Sequence, residues 1–262
     1  MPELPDVEGF RRVLTEHALG RRIRQVEVLD AGVLRGVTGA GLRRALTGHQ
    51  FREPWRHGKH LVVPVTGSRD GAAVLLHFGM TGSLYWAVDE KRQRFDRVVF
   101  GFAHGELRFQ DMRKLHGLRY APDRETVERL LAGLGPDAAE LTSAGLRDRL
   151  AARRGQVKPA LMDQSTVAGL GNLLTDEILW RARIDPHRSC TQLDGADIRR
   201  LHTRMRTVLR QSIAAGRVPP RKNWLTGRRD DPAGSCPRCG TPLSHAWVGG
   251  RGTTWCRHCQ PC

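Results

Sequence analysis

Four cysteines near the end of the chain have the spacing of a metal site. Cys236 and Cys239 form one CxxC pair, Cys256 and Cys259 form a second, and a β-hairpin turning at Gly249-Gly250 could close the span between the pairs. Four thiolates at this spacing suit one structural, tetrahedral zinc ion, with an iron–sulfur cluster or a redox role as the alternative. Three further residues could act as ligands, although their spacing fits less well: His245, His258 and Cys262.

A glycine-rich turn precedes a predicted helix in the segment VAGLGNLLTDE. Gly169 and Gly171 flank the turn, and Asn172 follows it. Glycines allow a phosphate to approach backbone N–H groups, and the dipole at a helix N-terminus favours an anion. Because such turns are more often only turns, this pattern by itself does not establish a phosphate site.

The chain begins MPELPDVEGF, which reads as the start of a helix. Asp6 can cap a run whose apolar residues share one face, and Gly20 can end it. This reading explains the carboxylate of Asp6, but it explains neither Pro2 nor Glu3.

The composition predicts an intracellular protein that binds a polyanion. Lys and Arg number 43 against 27 Asp and Glu, which gives a formal net charge of +16 and a pI near 10.9. Nucleic acid is the commonest partner of such a charge, ahead of anionic membranes and heparin-like polymers. No signal peptide or membrane-spanning run is visible, so we expect a cytoplasmic, nucleoid-associated protein. Because Arg is used almost everywhere, a lysine is a weak sign of a place where a compact ammonium matters more than a guanidinium, and some of the five lysines are ordinary surface residues: Lys59, Lys91, Lys114, Lys158 and Lys222.

The hydrophobic pattern changes near Pro122, which predicts an α+β fold. After a helix over 6–19, short segments rich in Val, Leu and Phe indicate the strands of a β-sandwich: 23–29, 60–65, 72–77, 97–102 and 107–110. The second half has helical periodicity in four segments: 126–134, 143–153, 175–184 and 197–215. Residues 216–235 are rich in Gly, Pro and charge, which predicts a linker or mobile loop.

Six segments follow one another along the chain: MPELPDVE, HGKHLVV, HFGMTGSL, FQDMRKLHG, KPALMDQSTVAGLGNLLTDEILWRARIDP and GGRGTTWCRHCQ. In this order they resemble the formamidopyrimidine-DNA glycosylase and endonuclease VIII family of base-excision repair enzymes. The resemblance covers essentially the whole chain. It implies an N-terminal helix and β-sandwich domain over 1–121, a helical helix–two-turn–helix domain over 122–229 and a four-cysteine zinc hairpin over 230–262.

The resemblance also implies a role for the first two residues after Met1. In this family the initiator methionine is removed and the exposed proline is the nucleophile, so the amine of Pro2 would attack C1′ of the damaged nucleotide. A free α-amine has a pKa near 7.7 to 8.0, which makes it a nucleophile close to neutral pH. The iminium that forms has no N–H proton to lose, and its charge acidifies C2′ for β- and then δ-elimination. Glu3 would be the general acid and base.

Further residues would bind and bend double-stranded DNA if the resemblance holds. Lys59 would hold the phosphate beside the lesion, and Arg251, at the tip of the hairpin, would assist in the active site as well as grip a flanking phosphate. Asn172 and Lys158 would contact the other phosphates. The damaged nucleotide would be flipped out, and three side chains would fill the gap: Met80, Arg113 and Leu115. We expect a monomer with DNA in a cleft between the domains, one structural zinc ion and no membrane.

Three departures from the family pattern leave the excised base open. Asp6 stands where the guanine-repairing branch has Glu, and Leu115 and His116 stand where it has Phe and Gly. The region before Cys236 does not clearly match the loop that caps 8-oxoguanine, although MPELP favours the formamidopyrimidine branch. The substrate could be an oxidised purine, an oxidised pyrimidine, an abasic site or a bulkier adduct. A non-catalytic protein that binds damaged DNA and a zinc-ribbon RNA-binding protein are the alternatives from other classes.

Overall fold

The computed structural model describes residues 1–67 and 71–261, and it divides into two compact units. The first unit comprises residues 1–2 and 6–133, and the second comprises residues 3–5 and 134–262. The N-terminal helix α1, Leu4–His17, therefore begins in residues that belong with the second unit and continues in the first. Within the described residues, none of the helices is both long and apolar enough to cross a bilayer.

Two sheets make up most of the first unit. In the part of this unit that the structure describes, nine strands follow α1 and are interrupted by one helix: β1 (Gln25–Val28), β2 (Leu34–Arg35), α2 (Gly39–Leu46), β3 (Trp55–His57), β4 (His60–Pro64), β5 (Ala73–His77), β6 (Ser83–Ala87), β7 (Asp96–Phe102), β8 (Gly105–Gln110) and β9 (Gly117–Ala121). One sheet has the order β1-β7-β8-β6 and the other has the order β2-β9-β5-β4-β3, antiparallel throughout except where β2 runs parallel to β9.

Alternating side chains of both sheets meet in one hydrophobic core. Leu61 and Val63 of β4 and Phe100 and Phe109 of the other sheet are buried in the same cluster, together with Leu14 of α1. This alternation is what buries one face of each strand. The predicted β-sandwich with its N-terminal helix is confirmed. Helix α2 lies in the region predicted to consist of strands, where Thr38 caps it by accepting from the N–H of Gly41.

The third helix belongs with the sandwich rather than with the helices that follow it. Helix α3, Arg124–Leu131, packs Val127 against Val62, Leu75 and Ala121 on the outer face of the five-stranded sheet. The first unit therefore extends to Gly133, whereas the predicted domain boundary followed residue 121. The difference arises because the helical period of this segment gives no sign of the partner on which its apolar face packs.

The second unit is built from α-helices and a hairpin, which in its described residues are α4 (Ser143–Ala151), α5 (Val157–Met162), α6 (Asn172–Ala182), α7 (Gly195–Ala215), β10 (Ser244–Val248) and β11 (Arg251–Trp255). Helix α6 is central and almost wholly buried. Helix α7 begins with a capping box between Asp194 and Asp197 and ends at Gly216 in the left-handed conformation (φ 66°). The core includes Leu4 from the N-terminal segment.

The β10–β11 hairpin matches its prediction, whereas the segment 216–235 does not. β10 and β11 pair through a two-residue turn in which Gly249 and Gly250 both have positive φ, 58° and 74°, and this confirms the predicted hairpin. The segment 216–235 is packed rather than a simple linker. Trp224 and Leu225 are buried in the cores of this unit, and the N–H of Thr226 donates to the Glu177 carboxylate at 3.1 Å.

Candidate functional site

The carboxylate of Glu3 occupies the N-terminus of α6. Its Oε2 accepts from the N–H groups of Gly171 and Leu174 at 2.9 and 3.1 Å, and its Oε1 accepts from the N–H of Leu173 at 2.8 Å. Glu3 is 1% exposed. The first N–H groups of a helix have no intrahelical acceptors, and the helix dipole favours an anion at this end. The turn that could have received a phosphate therefore receives this carboxylate instead.

Both glycines of this turn are required by the close approach of the N-terminal segment. A Cβ on Gly171 would lie 2.2 Å from Cδ of Glu3, and a Cβ on Gly169 would lie 2.6 Å from Cδ1 of Leu4. Gly169 also has φ 111°, which side-chain-bearing residues rarely adopt. Its carbonyl accepts from the N–H of Leu4 at 3.1 Å. The sequence pattern VAGLGN thus encodes a binding groove for Glu3 and Leu4.

Pro2 and Lys59 both belong to the first unit. Pro2 is half-buried, immediately before Glu3 in the chain. Lys59 lies at the tip of the β3–β4 hairpin, in a two-residue turn whose first residue, Gly58, has φ 57°. The guanidinium of Arg56 donates to the carbonyl of Gly58 at 2.9 Å. The short turn therefore presents the ammonium of Lys59 at a fixed end of the sheet.

Three histidine rings lie in contact beside this turn. The ring centroids of His60 and His77 are 4.7 Å apart, and those of His77 and His116 are 4.1 Å apart. Nδ1 of His77 accepts from the N–H of Gly79 at 3.0 Å. Burial, followed by neighbouring positive charge, lowers the pKa of His60 to about 4 and that of His77 to about 3. Both rings are therefore neutral at physiological pH.

The three residues predicted to fill the flipped-out gap lie on two adjacent loops. Met80 is 36% exposed in the β5–β6 loop, and Leu115 is 49% exposed in the β8–β9 loop. Arg113 is exposed, and its Nη1 approaches Sδ of Met80 at 2.8 Å. The structure therefore brings Met80 and Arg113 together and leaves all three side chains accessible to a ligand.

Lys158 is buried and occupied within the protein. Its side chain is 0% exposed, and Nζ lies 2.6 Å from Oδ1 of Asp176 and 2.7 Å from Oγ1 of Thr253. Burial lowers the pKa of Lys158 and raises that of Asp176, while their mutual attraction opposes both shifts. The ammonium of Lys158, which was predicted to contact a phosphate, thus binds a carboxylate in the interior. The sequence pattern could not show this, because it does not reveal that Asp176 faces Lys158.

The carbonyl of Gly252 joins the hairpin to the rest of this unit. It accepts from Nδ2 of Asn172 at 2.9 Å, from Nη2 of Arg229 at 2.6 Å and from Nζ of Lys158 at 3.4 Å. Arg229 also binds Asp176. Asn172, the first residue of α6, and Arg251, exposed at the start of β11, are therefore held on one network that runs from the helix to the hairpin.

The four predicted cysteines form a metal site. Their Sγ atoms all lie within 4.8 Å of one another, with separations of 3.9 Å for Cys236 and Cys259 and 3.6 Å for Cys239 and Cys256. A tetrahedron with Zn–S bonds of about 2.3 Å has edges of about 3.8 Å, so these thiols fit zinc. The indole N–H (Nε1) of Trp180 donates to Sγ of Cys236 at 3.4 Å.

The other candidate ligands lie elsewhere or are not described. His245 contacts Oγ1 of Thr254 through Nδ1 at 3.1 Å, and neither it nor His258 belongs to the thiol cluster. Cys262 lies outside the described residues.

Two sets of residues at the site were not singled out by the sequence analysis. His60 begins β4 and His77 ends β5, and the two residues pair directly across these strands. Both lie within the quoted motifs, and the clue in the sequence was a histidine at the end of each of two successive predicted strands. Asp176 and Arg229 are 53 residues apart in the chain, and nothing local in the sequence indicates that they meet.

Comparisons with known proteins agree across the whole chain. The profile of the formamidopyrimidine-DNA glycosylase N-terminal domain matches residues 1–118, that of the formamidopyrimidine-DNA glycosylase H2TH domain matches 132–221, and that of the zinc finger found in FPG and IleRS matches 236–261. The formamidopyrimidine-DNA glycosylase of Bacillus subtilis is 36% identical over 281 residues, covering 99% of each chain.

Solved structures with the same fold contain damaged DNA. A complex between a Lactococcus lactis FPG mutant and DNA containing Fapy-dG superposes with a TM-score of 0.90 at 28% identity, covering 99% of this chain and 100% of that one. MutM in complex with DNA containing carbocyclic 8-oxo-G superposes with a TM-score of 0.89 at 28% identity and the same coverage.

Proposed function

The chain belongs to the formamidopyrimidine-DNA glycosylase family, and from this membership we propose how its own residues carry out the reaction. It is a bifunctional enzyme, a DNA glycosylase that excises a damaged base and an AP lyase that cleaves the strand at the resulting abasic site. Its partner is double-stranded DNA that contains the damage, and a structural zinc ion is bound by the four cysteines.

Pro2 is the nucleophile once Met1 has been removed. Its secondary amine forms a bond to C1′, the bond from C1′ to the base breaks, and the base leaves with a proton. The C1′–O4′ bond then breaks, O4′ receives a proton through Glu3 and becomes a hydroxyl, and the product is a cationic iminium between the Pro2 nitrogen and C1′ of the opened sugar. Loss of a proton from C2′ then expels the 3′-phosphate, and a second elimination expels the 5′-phosphate. A proline amine suits this chemistry because its iminium stays cationic.

Glu3 transfers the protons at the sugar, and its hydrogen bonds to α6 are the observation that carries this proposal. The three N–H groups of α6 hold both carboxylate oxygens as acceptors, as the ionised form requires. Because Glu3 follows Pro2 directly, the same hydrogen bonds restrict where the nucleophile can lie. Orientation of this kind is a large part of what an active site contributes to a rate.

Lys59, Asn172 and Arg251 bind phosphates around the lesion, and Met80, Arg113 and Leu115 fill the gap left by the flipped nucleotide. Arg251 completes the active site as well, because its hairpin is tied to the start of α6 through Gly252. Lys158 supports this arrangement from the interior: by binding Asp176 and Thr253 it fixes α5 and β11. A buried ammonium of this kind contributes rigidity rather than a phosphate contact.

The substrate class is an oxidised or ring-opened purine in duplex DNA. Relatives of this fold are solved with Fapy-dG and 8-oxo-G in DNA, which supports this class. Such a base lies in the chromosome, so the enzyme acts in the cytoplasm beside the nucleoid. Leu115 is exposed, and its aliphatic side chain offers a small apolar surface to the base opposite the lesion.

Borohydride trapping tests the nucleophile. The protein is incubated with a duplex containing a single abasic site, the iminium is reduced, and the N-terminal peptide of the cross-linked protein is analysed by mass spectrometry. A cross-link at Pro2 in protein that lacks Met1 is expected, and Pro2→Gly and Glu3→Gln should lower strand cleavage by about 100-fold.

Two results would contradict the proposal. A cross-link at a lysine would assign the chemistry to another amine. The absence of any cross-link, in zinc-loaded protein that lacks Met1 and binds the duplex, would favour a protein that recognises damage without acting on it. Arg124→Gln, on the exposed face of α3, is the matched control and should cleave like the wild type.

A further inference from the structure

The loop between β8 and β9 contains a residue in an uncommon backbone conformation. Arg113 and Leu115, both proposed above to enter the duplex, flank Lys114, which has φ 52°. Residues with side chains other than Asn and Asp seldom adopt this left-handed conformation, because Cβ approaches the backbone carbonyl. Contacts from elsewhere in the fold must therefore hold Lys114.

Asp30 holds the side chain of this lysine. Nζ of Lys114 lies 2.9 Å from Oδ2 of Asp30, and Nη1 of Arg97 lies 3.3 Å from the same oxygen. Oδ1 of Asp30 accepts from the N–H of Gly32 at 2.8 Å, which fixes the carboxylate. The hydrogen bond from Lys114, followed by that from Gly32, holds the pKa of Asp30 below its ordinary value. Asp30 is therefore ionised at neutral pH.

Arg35 holds the backbone of the same residue. Its Nη2 donates to the carbonyl of Lys114 at 2.6 Å, while Nη1 donates to the carbonyls of Gly32 and Leu34 at 2.8 and 3.0 Å. Arg35 belongs to β2, which pairs with β9, the strand that continues from the loop. The guanidinium thus ties the middle of the loop to the sheet beside its end.

Asp111 fixes the beginning of the loop and joins it to the loop of Met80. Its Oδ1 accepts from the hydroxyl of Thr81 at 2.7 Å and from the N–H of Arg113 at 3.1 Å. Its carbonyl accepts from Nε of Arg97 at 2.7 Å. The beginning and the centre of the loop are therefore bonded to the sandwich, although Arg113 and Leu115 themselves remain exposed.

We propose that Asp30 and Arg35 are positioning residues for insertion into DNA: by holding Lys114 left-handed, they keep Arg113 and Leu115 in place before DNA binds. A preformed loop loses less conformational entropy when it enters the duplex than a mobile one. The inference rests on the proposed function, because it concerns the residues that replace the flipped nucleotide. Neither positioning residue touches the substrate.

Asp30→Asn tests the side-chain contact with little change in shape. The amide keeps an oxygen for Gly32 but loses the charge that binds Lys114. We expect kcat/KM for excision of 8-oxoguanine from a duplex to fall about five- to tenfold. Strand cleavage of a single-stranded abasic oligonucleotide should be unchanged, because it has no opposite base to displace. Glu128→Gln, which removes the carboxylate of a more exposed ion pair with Arg124, is the control and should match the wild type on both substrates.

Two substitutions at Lys114 separate the backbone from the charge. Lys114→Asn and Lys114→Met both remove the ammonium, but Asn tolerates the left-handed conformation better than Met does. We expect Lys114→Asn to retain more duplex activity than Lys114→Met. Fluorescence of 2-aminopurine placed opposite a tetrahydrofuran abasic analogue reports insertion without chemistry, and it should rise less with Asp30→Asn and Lys114→Met than with the wild type.

The outcomes separate this inference from the proposed function. A wild type that is active on both substrates, with Asp30→Asn and both Lys114 variants equally active and giving the same 2-aminopurine signal, would overturn only the positioning role. An equal loss on duplex and single-stranded substrates would also overturn it, because it would indicate general damage to the fold. A wild type that is inactive on both substrates would overturn the proposed function and this inference with it.

Discussion

The position of Glu3 is fixed by residues that are distant from it in the sequence. The start of a helix offers N–H donors without acceptors, and the start of α6 receives a carboxylate from the other end of the chain. Two glycines make room for it. Glu3, the proposed general acid and base, is thus held by backbone atoms, which cannot change rotamer, so its orientation depends on the fold rather than on another mobile side chain.

Gly171→Ala is expected to slow strand cleavage strongly while leaving DNA binding largely intact. The added methyl would lie 2.2 Å from Cδ of Glu3, so the carboxylate must leave its three donors. We expect a fall of about 100-fold in the single-turnover rate on abasic duplex. Gly155→Ala is the matched control, because a Cβ there meets nothing within 4 Å in the same unit. Equal rates for the two variants would refute the proposed role of the Glu3 contacts.

The half-buried His60 and His77 predict that stability falls as the pH is lowered from neutrality. Folding depresses the pKa of His60 to about 4 and that of His77 to about 3, below the ordinary 6.5 of the unfolded chain. The unfolded state therefore binds more protons below pH 6.5. Their contribution is fully present above that pH and is lost progressively toward pH 4 and 3, by about 2 kcal/mol per histidine between pH 7 and pH 5.

Urea unfolding at a series of pH values measures this effect. His60→Gln should flatten the dependence of the unfolding free energy on pH by about 2 kcal/mol over that interval. The exposed His104 serves as the control, and His104→Gln should leave the slope of the wild type unchanged. If the curves of unfolding free energy against pH were parallel for the wild type and both variants, His60 would be excluded as a source of the pH dependence.

At the scale of single elements, the zinc hairpin depends on contacts at both of its ends. Its thiols hold the base, and the carbonyl of Gly252 is bound by side chains from α5, from the start of α6 and from residue 229. The turn lies against Pro159, since a Cβ on Gly249 would be 2.4 Å from Cγ of that proline. Arg251 therefore owes its position to the metal and to the interior network together.

Removal of zinc should weaken DNA binding and strand cleavage without unfolding the sandwich. The hairpin holds Arg251, and a four-thiol element of this size has little core of its own. We expect affinity for abasic duplex, measured by fluorescence anisotropy, to fall about tenfold after chelation and to return when zinc is added. The β-sheet circular dichroism signal should persist.

Cysteine variants provide the control for chelation. Cys239→Ser removes one ligand and should behave like the zinc-free protein. Cys190→Ala removes a buried thiol of the helical core that does not belong to the cluster, and it should retain zinc and affinity. Full activity of a preparation shown to lack zinc would contradict the role assigned to the hairpin.

At the scale of the whole molecule, the sequence predicted the kinds of layers more reliably than the partners of individual residues. The alternating apolar strands and the amphipathic helices are local patterns, so the sandwich, α7 and the cysteine hairpin were foreseeable. The burial of Lys158 depends on Asp176, and the packing of α3 depends on β5 and β9. Such pairings arise only when distant segments meet, and a single sequence does not record them.

The overall charge predicts that DNA binding weakens steeply with salt, because each phosphate contact releases counterions. A plot of log K against log salt concentration should have a negative slope, and Lys59→Gln and Arg251→Gln should each make it shallower by about one unit. Arg124→Gln, whose guanidinium is paired with Glu128 on α3, should leave it unchanged. An unchanged slope for Arg251→Gln would remove that residue from the phosphate contacts.

The scarcity of lysine makes the protein suited to sparse isotopic labelling. Reductive methylation with ¹³C-formaldehyde would place NMR-visible methyl groups on accessible amines alone, and Lys158, with no exposed surface, should resist modification until the chain unfolds. Lys59 and Lys114 would then give separate signals from the β3–β4 turn and the β8–β9 loop. DNA titrated into one sample would show whether the β3–β4 turn, proposed to bind a phosphate, and the β8–β9 loop, proposed to enter the duplex, respond together or in sequence.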